Sequence, residues 1–141
     1  MRLMASTFTI VSNHAGTRLE LSGDVPGGLK GYDGCTFTAR LVGPPIDAAV
    51  EVYDIQPQNW SRFFRRLATD WRGWVGPQVH ESLEHHLRLA CTCDRTGHVT
   101  IQATLRGMLF ENDWLAQASL CVDAGQLDEI ARTAAKFFKG K

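Results

Sequence analysis

The chain has 141 residues, with 15 basic and 15 acidic side chains and a pI near 7.0. That length predicts one domain over residues 1–141, because two separate cores would each lie near the lower size limit for independent stability. An apolar share of 44% excludes a disordered chain, and the zero net charge excludes a global field drawing it to nucleic acid or an anionic membrane.

The first third reads as strands by strict alternation. Phe8 and Ile10 alternate with Thr7 and Thr9; after an Asn13-His14-Ala15-Gly16 turn, Leu19 and Leu21 alternate with Arg18, Glu20 and Ser22. Five glycines then fall between Gly23 and Gly34, where strand pairing should lapse. Cys35, Phe37, Ala39 and Leu41 share the inner face of a third strand. Gly43-Pro44-Pro45 turns the chain, and Ile46, Ala48, Val50 and Val52 line a fourth.

The period then changes. Trp60, Phe63, Phe64, Leu67, Trp71 and Trp74 recur as the apolar stripe of a helix that opens at Pro57 and stops at Gly73 and Gly76-Pro77. Its opposite face carries Arg62, Arg65 and Arg66. Further on, Asp94-Arg95-Thr96-Gly97-His98 predicts a hairpin turn with Gly97 left-handed. Pairing Asp94 with His98 sets Cys93 opposite Val99, Cys91 opposite Ile101, Leu89 opposite Ala103 and Leu87 opposite Leu105. Every inward pair is then apolar, and a slip of one residue would put them all in water.

A second turn is expected near Glu111-Asn112-Asp113, before a strand with Trp114, Ala116, Ala118, Leu120 and Val122 inward. The last helix buries Leu127, Ile130, Ala131, Ala134 and Phe138, with Asp123 and Gln126 at capping-box spacing. The expected fold is α+β: a mainly antiparallel sheet of about seven strands with two amphipathic helices, in the order four strands, helix, three strands, helix. All four tryptophans and three of the cysteines are expected in its core.

Several chemical readings can be tested against this layout. His85, His86, Cys91, Cys93 and His98 crowd one segment, but Cys91 and Cys93 share the core face with Leu87 and Leu89 and lack C-x2-C spacing, so no metal is expected. His98 across from Asp94 could serve as a general base; as a hairpin-tip residue it is expected to fasten the turn instead. The Gly23–Lys30 stretch lacks the Ser or Thr and the helix of a phosphate loop. It still forms a long acidic loop with an aromatic, and Asp24, Tyr32 and Asp33 are the expected partner-binding residues. No catalytic residue and no cofactor is expected. The absence of an apolar run of roughly 18 residues argues against a spanning helix. Met1–Thr7 has no secretion-signal core, and four cysteines are too few for a disulfide scaffold, so a cytoplasmic location is expected.

Phe63-Phe64-x-x-Leu67 leading into Trp71-Arg72-Gly73-Trp74, the Asp94-Arg95-Thr96-Gly97-His98-Val99 turn and Asp123-Ala124-Gly125-Gln126-Leu127 resemble an uncharacterised family of small proteins from high-GC Gram-positive bacteria. More distantly, the layout is similar to the WapI-type immunity proteins of polymorphic toxin systems. The resemblance covers about residues 60–138, and Gly125 interrupts its final motif. It implies a non-enzymatic protein that binds and neutralises a cognate toxin. The alternatives are a small-molecule module or enzyme with a pocket between sheet and helices, and a subunit that dimerises through a sheet edge.

Overall fold

In each half of the chain an antiparallel meander of four strands runs into a helix. The structure, a computed structural model, describes residues 6–23, 34–107 and 114–139. The first half comprises β1 (Ser6–Val11), β2 (Arg18–Gly23), β3 (Cys35–Gly43), β4 (Ile46–Asp54) and α1 (Gln58–Thr69). The second comprises β5 (Gln78–Glu81), β6 (Leu87–Cys93), β7 (His98–Arg106), β8 (Leu115–Asp123), a 3-10 turn (Ala124–Gln126) and α2 (Leu127–Lys139). Strand order is sequential in both sheets, β1-β2-β3-β4 and β5-β6-β7-β8.

The α+β class agrees with expectation, but one sheet of about seven strands is corrected to two sheets of four. The additional strand is β5. Its core-facing positions, opposite Cys91 and Leu89, are Gln78 and His80, so the apolar alternation that reveals the other strands is missing. The turn expected at Glu111–Asp113 lies outside the described residues.

Register follows the apolar rows. The β6–β7 pairs are Leu87–Leu105, Leu89–Ala103, Cys91–Ile101 and Cys93–Val99, as the alternation demands. In the first sheet Leu19 sits opposite Leu41 and Phe37 opposite Val52. One cluster of buried side chains draws from both sheets and both helices, with Phe8, Phe37, Trp60, Phe64 and Phe138 among its largest members. Phe8 and Phe64 meet edge to face at 5.3 Å, and Phe37 and Phe138 at 5.6 Å, so both helices pack on the first sheet. Phe137, buried beside Phe138, widens the expected stripe of α2. At one corner the two sheet edges meet, where Asn13 N–H donates to the Cys121 carbonyl (2.7 Å) and Cys121 N–H to Ser12 Oγ (3.0 Å).

The tryptophan stripe requires a second correction. Helix α1 ends at Thr69, and Trp71 is 50% exposed. Asp70 leaves the helix to accept a hydrogen bond from Gln78 Nε2 (3.1 Å), and Gly73 adopts φ +119°, a left-handed conformation that turns the chain away. Trp74 therefore joins the second sheet: its Nε1–H donates to the Cys91 carbonyl at 2.9 Å. Trp74 and Trp114 are half-buried against the core, so Trp60 alone among the tryptophans is fully enclosed. Cys35, Cys91 and Cys93 are buried as expected. Among the described residues no helix is long and apolar enough to cross a membrane.

Candidate functional site

Asp24, Tyr32 and Asp33 lie outside the described residues. In sequence they fall between the end of β2 at Gly23 and the start of β3, where Cys35 pairs with Asp54. The other charged surface noted in the sequence, the basic face of α1, is described in full.

α1 and α2 pack side by side over the core. Burial of Trp60, Phe63, Phe64 and Leu67 fixes the roll of α1, each contributing roughly 1.5–3 kcal/mol, and so turns Arg62, Arg65 and Arg66 outward. On α2, burial of Leu127, Ile130, Ala131, Ala134 and Phe138 leaves Arg132 and Lys136 outward. The two helices carry six cationic side chains against two acidic ones. Both acids, Asp128 and Glu129, occupy the first turn of α2, where they complement the helix dipole.

Between the helices runs a groove of about 490 Å³, lined by Gln58, Ser61, Arg62, Arg132, Ala135 and Lys136. Arg132 pairs with Glu129 at the acidic end, and Arg65 pairs with Asp128 at 3.3 Å. Arg62 reaches only the neutral Asn59 amide oxygen (2.7 Å), and neither Arg66 nor Lys136 has an ion pair among the described residues. The groove thus presents uncompensated positive charge over a small apolar floor. An acidic, elongated surface fits that chemistry.

The hairpin acid and histidine form a fastening. Asp94 Oδ1 accepts the backbone N–H of Thr96 and of His98, each at 2.9 Å, and the Thr96 hydroxyl at 2.8 Å. The backbone N–H of His98, then the Thr96 hydroxyl, hold the Asp94 carboxyl down at about 2. His98 Nδ1 lies 2.8 Å from Thr96 Oγ1 and 3.3 Å from Asp94 Oδ2. All three side chains are engaged in closing one exposed turn.

The cysteine and histidine segment divides between faces. Burial pushes the Cys91 thiol up to about 12 and also raises Cys93, which disfavours the thiolate that binds metal or reacts. His85 Nδ1 pairs with Glu81 (3.2 Å), and His86 Nδ1 lies 2.9 Å from the Arg106 carbonyl. Among the described residues no three His, Cys, Asp or Glu side chains gather as a metal cluster. The structure adds one histidine the sequence reading passed over. His80 on β5 packs edge-on against Trp60 at 4.3 Å, and burial lowers its pKa. Its polar, inward placement on a short edge strand offered no periodic signal.

The chain belongs to the family of unknown function DUF6228, whose model matches residues 10–141. That match reaches well before residue 60, so the N-terminal strands belong to the family pattern as much as the later motifs do. None of the curated proteins compared with the chain matches it.

Proposed function

We propose that this chain is a non-enzymatic interaction protein of the immunity type, which captures a cognate protein toxin and blocks it. The observation that carries the docking surface is the α1–α2 groove, where Arg62 and Lys136 have no acidic partner among the described residues. Cations fixed on two packed helices attract an acidic partner over a Debye length of about 8 Å at physiological salt, accelerating encounter and fixing orientation. The toxin class rests on the motif resemblance. The segment with Asp24, Tyr32 and Asp33 is proposed as a second contact of opposite charge, and cytoplasmic placement follows from the same reading.

The test first reads the neighbouring gene: a secreted protein with a variable C-terminal domain is expected there, and any other product would reject the immunity reading. That domain is purified and titrated against the whole chain by stopped-flow and calorimetry. A complex is expected, and R62A combined with K136A should slow low-salt association about tenfold while leaving the melting temperature near that of the parent. No complex would reject the immunity reading. A complex whose association rate ignores both substitutions would reject the groove as its docking surface.

A further inference from the structure

The exit from α1 meets the second sheet at a different surface. Trp71 is half exposed, and the Arg72 guanidinium lies over its ring, 5.0 Å from the centroid. Together with the Arg95–Gly97 turn and the Asp123–Gly125 turn, these residues wall a hollow of about 410 Å³. That is within the range of small-molecule clefts, about 300–1,000 Å³. The walls are joined to one another. Trp74 N–H donates to the Cys93 carbonyl at 3.4 Å and ties the Trp71 segment to the hairpin; Ala124 N–H donates to the Gly97 carbonyl at 2.8 Å and ties the hairpin to the start of α2.

The two arginines of this hollow form no ion pair among the described residues. Asp123 is itself part of the wall and Asp94 belongs to the adjoining hairpin, and both carboxylates are engaged by the backbone of their own turns. Asp94 accepts the N–H groups of Thr96 and His98, and Asp123 accepts that of Gln126. Arg72 and Arg95 therefore face one depression with no acidic partner among the described residues. Stacking on the indole restrains the Arg72 fork before any ligand arrives, which reduces the ordering cost of binding.

We propose that this hollow binds a phosphate monoester, with the phosphate held between Arg72 and Arg95 and its organic group against Trp71. Two guanidinium forks match a dianion with three terminal oxygens better than a carboxylate with one charge and two. The half-exposed indole beside them supplies apolar surface that free phosphate would leave in water. The site is independent of the α1–α2 groove and of the toxin reading.

The experiment titrates the whole chain with phenyl phosphate and with inorganic phosphate, following the indole N–H signals by NMR, with W71F identifying the resonance of Trp71. Phenyl phosphate is expected to bind saturably and to shift that resonance. R72A and R95A should each weaken it about tenfold, the effect of losing one charge-assisted contact. R72K, which keeps the charge but not the fork, should fall between R72A and the parent. Phenyl phosphate should also bind several-fold more tightly than inorganic phosphate, and W71A should remove that preference. Absence of saturable binding, or affinity unchanged in both arginine variants, would overturn the site. Equal affinity for the two probes would overturn the assignment to an organic monoester.

Discussion

The two halves share a plan of four strands and a helix but close their strand-to-helix corners in different ways. In the first half, three residues separate β4 from α1, and the corner is plugged by Trp60, fully buried, whose indole N–H donates to Asp54 Oδ2 at 2.8 Å. In the second, β8 runs directly into the 3-10 turn. Gln126 Oε1 accepts the Asp123 N–H at 2.8 Å, and the corner stays open with Trp71 on its rim. Sealing a corner with a large aromatic stabilises the fold, whereas capping it with its own backbone leaves nearby cations free for a ligand. The inner rows differ in the same sense. Phe8 and Phe37 put aromatic rings into the buried row of the first sheet, while that of the second, with Leu87, Leu89, Cys91, Ile101, Ala103 and Leu105 among its members, is aliphatic or small.

The sharpest way to break this comparison is to truncate one tryptophan at each corner. W60A removes a fully buried side chain that touches Phe138 and His80 as well as Asp54, and should cost about 3–5 kcal/mol in denaturant unfolding. W71A should change stability by no more than about 0.5–1 kcal/mol, because half of the ring is already in water. Equal losses would mean that the second corner is as structural as the first.

Gly73 is the hinge between the halves and ranks next. A Cβ there would lie 3.2 Å from the Asp94 carbonyl oxygen, and φ is +119°, so G73A should cost about 1–3 kcal/mol in the same assay. Gly97, at φ +86°, has only the Ala124 Cβ within reach at 3.8 Å, so G97A meets backbone strain without a clash and should cost less. A larger loss at Gly97 than at Gly73 would show that the hairpin, rather than the α1 exit, sets the geometry of the hollow.

These positions also mark where the sequence was legible. The β6–β7 register could be read because a local turn and an apolar alternation point to the same answer, and Asp94 to His98 contain all the chemistry that fixes it. The basic face of α1 was legible for a similar reason, since Arg62, Arg65 and Arg66 fall opposite Phe63, Phe64 and Leu67 on any helix. Trp71 was misleading: its spacing continues the helical period, but Asp70 and Gly73 answer to partners on β5 and the hairpin rather than to the helix. The groove and the hollow both depend on residues brought together by tertiary packing, Arg62 with Lys136 and Arg72 with Arg95. No local pattern announces either pair.

The smallest expected effect concerns pH. The Asp94 carboxyl titrates at about 2 in the folded chain against an ordinary value of 3.8, held down first by the His98 backbone N–H and then by the Thr96 hydroxyl. A depressed carboxylate stabilises the fold above the unfolded value and loses that contribution as pH falls through the folded one. The stability it lends is therefore present at pH 5 and fades from about 4 down to about 2. D94N keeps a side-chain oxygen for the two backbone N–H groups but removes the charge, so its melting temperature should fall less steeply over that window. Asp47, lowered by its hydrogen bond and charge pairing with Arg40, titrates in both proteins and cancels in the difference. Because the side chain is exposed, salt should shrink the difference between the two curves. Identical acid limbs would mean that the turn is closed by hydrogen bonding alone and that the Asp94 charge adds nothing to it.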